Sequence, residues 1–170
     1  DSSPSRGLGD VYKRQVYPTG YFYLGVEHLL GGIDHIVFVL GLIFLISGFI
    51  PLFKTITAFT LAHSITLAIS VLGIFKLPSA STEALIALTI IYLAYELTKA
   101  ETDVKRPWLM AFGFGLLHGF GFAGALSEIG IANDQIFLSL LFFNIGIEIG
   151  QLMIIPCLLY TSPSPRDGLL

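Results

Sequence analysis

The chain reads as an all-α protein, a polytopic bundle of transmembrane helices. Three observations carry that reading. Of its 170 residues, 54% are hydrophobic and only 12% are charged, where soluble domains carry about 25% charged residues. Mean hydropathy is +0.80. The apolar residues also fall into five stretches, most of them near the ~20 residues that a helix needs to cross a bilayer.

In chain order these stretches are Leu24–Ile46, Phe53–Leu72, Thr82–Leu97, Leu109–Leu126 and Ile136–Ile155. The third is short. It gains length if Leu77–Ser81 joins it, and Ser81 or Thr82 offers a cap with Glu83 in the first turn. Five spans are therefore expected in this chain and six in the intact protein, with the last lying after Pro156. Charge between spans sets the orientation. Lys54, Lys99, Lys105 and Arg106 follow the first and third spans, and only Lys76 follows the second and fourth. The positive-inside rule then puts the first pair of loops in the cytoplasm and Val16–Tyr23 outside. The expected location is a bacterial inner membrane, with the lipid bilayer as the main partner.

The two ends read differently from the middle. Ser5–Gln15 is SRGLGDVYKRQ and Cys157–Asp167 is CLLYTSPSPRD. A coding sequence for the second, reverse-complemented and read one base out of frame, encodes the first. Residues 1–15 and 157–170 are thus expected to be translated sequencing-adapter tails. Residues 16–156 form the transmembrane domain, truncated on both sides, and are set apart from the tails for fold reasoning. That domain holds five basic and nine acidic residues, net −4, so nothing basic points to nucleic acid. The single cysteine, Cys157, lies in a tail, which leaves no disulfide or thiolate chemistry.

Within this apolar chain all four histidines, His28, His35, His63 and His118, sit inside the predicted spans. Ionisable groups in hydrocarbon are costly, and they mark ion paths or buried cofactors. Imidazole is a borderline ligand suited to nickel, copper, zinc and iron. In the first span His28 and His35 are seven residues apart, on one helical face, with Gly31 and Gly32 between them. A straight helix separates the two rings by about 10 Å along its axis. Either the glycine pair bends the helix, or the histidines act in sequence as an entry site and a deeper one. Asp34 is placed to bind an ion or to orient an imidazole.

The second span carries His63 with Ser64 and Thr66, hydroxyls that either line a hydrated route or bond their own helix. The fourth has His118 amid Gly115 and Gly119, a GxxxG spacing for close helix approach. Gly121 and Ala125 share the side of His118. The fifth has a polar stripe of Asn144, Glu148 and Gln151, and a second GxxxG of Gly146 and Gly150. These glycine faces suit packing within the chain or a homo-oligomer. In the third span Thr89, Tyr92 and Glu96 share a face, a weaker signal. The metal ligands expected are His28, Asp34, His35, His63 and His118. The transport path or outer shell is expected from Ser64, Thr66, Asn144, Glu148 and Gln151.

Taken as a set, four segments resemble the HupE/UreJ family of membrane proteins. They are His28-x5-Asp34-His35, Phe59-Thr-Leu-Ala-His63-Ser-Ile-Thr-Leu, Leu117-His118-Gly-Phe-Gly-Phe-Ala123, and Phe143-Asn144-Ile-Gly-Ile-Glu148-Ile-Gly-Gln151. The resemblance covers nearly all of residues 16–156. It implies a nickel or cobalt permease associated with hydrogenase and urease, with His28, Asp34 and His35 in the essential motif. It also implies that His118 belongs to a second motif ending in an acid, here Glu128, ten residues on, where the nickel-permease branch has its acid sooner. The pieces around His63 and Asn144–Gln151 look more like a second, less characterised branch.

The leading expectation is a permease for a divalent transition-metal cation, Ni2+ first and Co2+ or another divalent metal next, entering by His28. The alternatives are a non-transporting membrane accessory factor for metalloenzyme maturation and a haem-binding membrane protein. No enzyme is expected: H-E-x-x-H, G-x-S-x-G and a P-loop are all missing from the sequence.

Overall fold

The computed structural model describes residues 19–99, 104–129 and 135–161, without the side chains of 123–129 and 158–161. Among the described residues every regular element is helical: α1 (Thr19–Gly31), α2 (Ile33–Leu45), α3 (Phe49–Val71), α4 (Ser79–Leu97), α5 (Pro107–Ile129) and α6 (Ile136–Thr161). The expected terminal tails lie largely outside the described residues.

The first expected span is broken. At Gly32 the backbone turns extended, with φ −87° and ψ 98°, and α1 and α2 meet at a 74° bend. The break is hydrogen-bonded on both sides. The Gly32 amide donates to the His28 carbonyl at 3.0 Å, and the Gly32 carbonyl accepts from His35 and Ile36. A φ of −87° suits any residue, so it is space that demands glycine here. A Cβ on Gly32 would lie 2.9 Å from His35 Nδ1 and 3.0 Å from Asp34 Oδ1. Gly31 has nothing within 4 Å of its Cβ position.

The other helices have local causes. Pro51 and Pro107 stand in the first turns of α3 and α5, where a missing N–H costs nothing. Gly73, at φ +73°, ends α3 in a Schellman motif. Its amide donates to Ser70 and that of Ile74 to Ile69. The start of α4 differs from expectation. It is at Ser79, without a side-chain cap. The Ser79 hydroxyl instead bonds Glu83 at 2.8 Å, and Thr82 donates back to the Pro78 carbonyl. The short third span therefore does take in residues ahead of Thr82.

α3, α4 and α6 are each long and apolar enough to cross a membrane, and the α1–α2 pair qualifies if counted as one broken span. That makes three spans, or up to four, among the described residues. The expected five spans thus go beyond this count, with α5 as the remaining candidate.

α3 packs along α5, α1 along α6 and α2 along α4, while α4 on α5 and α6 on α3 join the pairs. Glycines set the closest approaches. A Cβ on Gly115 would strike the Phe59 carbonyl, and one on Gly119 would strike Thr66 Oγ1 and the His63 carbonyl. Gly25 and Gly146 do the same between α1 and α6, against Phe143 and Phe22, and Gly150 lies against Leu29. Both GxxxG faces are thus used within the chain, which removes them as the argument for a homo-oligomer.

The surface is apolar where that of a protein in water would be polar, and polar side chains are buried beside the hydrophobic core. Ile33, Ile50 and Phe137 are 76–79% exposed, while Thr55, His63, Glu96, Asn144 and Gln151 are buried. This is how a helix bundle arranges itself with lipid as its solvent.

Candidate metal centre

Four helices deliver the four imidazoles to one place. His28 lies in the last turn of α1 and His35 in the first turn of α2. The 74° bend folds these two turns together, so the ring centroids are 4.8 Å apart. The alternative of two well-separated histidines on a straight helix is thereby set aside. His63 comes from α3, 6.1 Å from both His28 and His35. His118 comes from α5, 5.2 Å from His35. The glycine contact that seats α5 on α3 joins Gly119 to the His63 carbonyl, so the residue after His118 fixes how near these helices stand.

Among the described residues the nitrogens of this cluster are the main buried polar atoms left unsatisfied. Among the described residues, buried side-chain atoms without a hydrogen-bond partner are His28 Nε2, His35 Nδ1 and Nε2, His63 Nε2, His118 Nδ1 and the Ser139 hydroxyl. Buried polar groups are almost always paired. Five such atoms lie on four rings that face one another, and each neutral ring has one lone pair it can offer a cation. Two groups satisfy metal-ligand spacing, with ligand atoms within 4.8 Å of one another: His28, His35 and His63, and Asp34, His35 and His118. Asp34 is the polar group at the rim, its side chain 36% exposed, with Oδ2 3.5 Å from His35 Nδ1.

Outer contacts fix which nitrogen of two rings is bare. Asn144 donates its Nδ2 to the Leu140 carbonyl at 2.7 Å. Its Oδ1 therefore accepts from His63 Nδ1 at 3.3 Å, and the His63 lone pair is left on Nε2. Thr89 donates its hydroxyl to the Ile86 carbonyl at 2.7 Å. Its oxygen therefore accepts from His118 Nε2 at 3.0 Å, and the His118 lone pair is left on Nδ1. These nitrogens are two of the unpartnered five. Metal-binding histidines are commonly held in this way, through the ring nitrogen that does not ligate.

Aromatic rings enclose the cluster. Phe122 lies 3.9 Å and Phe143 5.6 Å from His28, centroid to centroid. Phe59 is 5.1 Å and Phe38 5.6 Å from His118. A dry surround of this kind strengthens electrostatic attraction for a cation.

The remaining expected residues are placed unequally. Asn144 touches the cluster. Gln151 meets Thr60 at 3.0 Å, and Glu148 accepts from Thr57 at 2.6 Å. With the His63–Asn144 pair they make a polar seam between α3 and α6, leading from the cluster toward the start of α3. The hydroxyls of Ser64 and Thr66 bond carbonyls of their own helix. The side chains of Ala125 and Glu128 lie outside the described residues. Sequence reasoning missed Thr89 as an outer contact of His118, and missed the role of Phe122 and Phe143. For Thr89 the available signal was the polar face it shares with Tyr92 and Glu96 in an apolar span. Phe122 and Phe143 fall within two of the segments quoted above, but residue type alone gave them no role, since a phenylalanine in a membrane helix has lipid as its ordinary surroundings.

The sequence model of one protein family, described as HupE / UreJ protein, matches residues 10–164. No curated protein and no solved structure gives a significant match.

Proposed function

The chain belongs to the HupE/UreJ family, and from that premise we propose that it is a permease for a divalent transition-metal cation, Ni2+ before Co2+, with His28, Asp34, His35, His63 and His118 as its intramembrane ligands. The observation that carries this reading is the convergence of bare, buried imidazole nitrogens inside a lipid-solvated bundle. Imidazole with a single carboxylate is a donor set suited to nickel, cobalt or zinc, and unsuited to magnesium or calcium.

In this reading the ion is the substrate. It loses hydration water to the cluster and leaves along the seam of Thr60, Gln151, Thr57 and Glu148. By the charge rule the start of α3 faces the cytoplasm, so the seam leads inward. Asp34, at the rim of the cluster, and the part-exposed His28, covered by Phe122 and Phe143, are the first groups to meet the cation. Five spans, with α5 among them, would enclose this path.

The accessory-factor reading shares the same ligands and differs only in flux. Haem is disfavoured by packing. A porphyrin needs a flat gap beside its axial imidazole, and here phenylalanine and further imidazole rings lie against His28, His35, His63 and His118. The test is nickel uptake by cells expressing the intact gene, compared with His35→Ala at equal expression, and with cobalt and zinc as competitors. Saturable uptake that is lost in the variant supports the permease. Metal bound by the purified protein without uptake would replace it by the accessory factor.

A further inference from the structure

No group within ligand spacing takes in all five residues. The two groups within ligand spacing share only His35: His28 and His63 go with one, and Asp34 and His118 with the other. We propose that the cluster is two overlapping, mutually exclusive cation positions, an inner one on His28, His35 and His63 and an outer one on Asp34, His35 and His118. This inference rests on the metal-binding reading above and deepens it.

Three features argue for it. The first is the direction of the lone pairs. Asn144 leaves His63 with a bare Nε2, and Thr89 leaves His118 with a bare Nδ1. Each of these rings therefore has one fixed donor, committed to its own group. The second is His35, whose two nitrogens are both buried and both without a hydrogen bond. Its Nδ1 is on the Asp34 side, 3.5 Å from the carboxylate, which leaves Nε2 for the inner position. A neutral imidazole has one lone pair and one N–H, so His35 serves one position at a time. With the ion inside, Nδ1–H is free to bond Asp34, and the carboxylate changes from ligand to hydrogen-bond acceptor. The third is placement. Asp34 is about a third exposed at the rim, while His63 is buried and bonds Asn144 at the head of the α3–α6 seam, so one group ends at the rim and the other at the seam, although His28 is part-exposed and His118 buried.

The consequence is that the two ends of His28-x5-Asp34-His35 hold different ions, or one ion at different moments. A cation would move inward by exchanging Asp34 and His118 for His28 and His63 around a constant His35. No point on that route lacks at least one imidazole.

The test is Ni2+ binding to the purified full chain in lipid nanodiscs, with stoichiometry from equilibrium dialysis and ligand identity from X-ray absorption. Wild type should bind one nickel with no more than three imidazoles. His63→Gln should keep one nickel, held by two imidazoles and a carboxylate. Asp34→Asn and His118→Gln should each keep one nickel, held by three imidazoles. His35→Gln should bind on the order of 100-fold more weakly. Two nickels per wild-type chain, or four imidazoles on one nickel, would overturn the proposal without any variant. So would loss of binding in Asp34→Asn and His63→Gln as complete as in His35→Gln, at wild-type helical content. Nickel bound in any of these arrangements leaves the metal-binding reading standing. No nickel on wild type overturns both.

Discussion

Replacing Thr89 by valine removes one oxygen from a residue that is 4% exposed and leaves its shape nearly unchanged. That oxygen accepts the N–H of His118 Nε2, on a ring that is 1% exposed. The bond from Thr89 to Ile86 is also lost, but that carbonyl belongs to a helix and has a backbone partner, so its loss matters little. A buried donor left without an acceptor costs about 1–3 kcal/mol. His118 can avoid the cost by moving its proton to Nδ1, the nitrogen that faces the cluster. The proton then occupies the lone pair that a cation needs. Restoring the original tautomer on binding brings the same cost back, so nickel affinity at the position that His118 serves should fall by about tenfold to 100-fold, read in His63→Gln where only that position remains, in the range found when outer contacts of metal-bound histidines are removed. The assay is a nickel isotherm on purified protein in nanodiscs, read beside the 15N imidazole spectrum that reports which nitrogen of His118 carries the proton. Thr89→Ser keeps the oxygen and should bind within about threefold of wild type, a difference well under 1 kcal/mol. If, in the His63→Gln background, Thr89→Val leaves nickel affinity unchanged with His118 still protonated on Nε2, the reasoning fails.

Other expected outcomes follow from the same geometry. Gly119→Ala drives a Cβ into the His63 carbonyl, which is backbone and cannot give way. It should destabilise the bundle by about 1–3 kcal/mol in denaturant unfolding, whereas Gly113→Ala, with nothing within 4 Å, should stay within about 0.5 kcal/mol of wild type. Gly32→Ala places a Cβ 2.9 Å from His35 Nδ1 at a φ that alanine accepts. It should weaken nickel binding more than tenfold in the dialysis assay, a loss above about 1.4 kcal/mol, with little change in unfolding. Glu148→Gln keeps an oxygen to accept from Thr57. Helical content and nickel affinity should be unchanged, while nickel uptake in cells should fall several-fold if the α3–α6 seam carries the ion.

The sequence alone made the fold class legible, because lipid imposes a composition and a segment length that few other surroundings tolerate. It also named the residues that the structure gathers. A histidine in an apolar span needs a reason wherever it sits, so all four rings of the cluster could be named before any contact was known. Helix ends were less legible. Ser79 begins α4 ahead of the expected Ser81 or Thr82, since Pro78 and Ser79 start a helix without a side-chain cap and residue preferences alone give it little weight.

What tertiary structure decided is how the named residues meet. The spacing of His28 and His35 allowed a straight helix or a bent one. The bend was settled by space around Gly32, where Asp34, His35 and the His28 carbonyl all crowd the missing Cβ. Thr89 became a partner of His118 only because α4 packs on α5, and the polar stripe of α6 found its use only against α3. The glycine faces were readable as close-packing surfaces, but not as surfaces within one chain. A sequence states which atoms are costly to leave unpaired in lipid. Only the packing of distant helices determines which of them pair with one another and which remain bare for a cation.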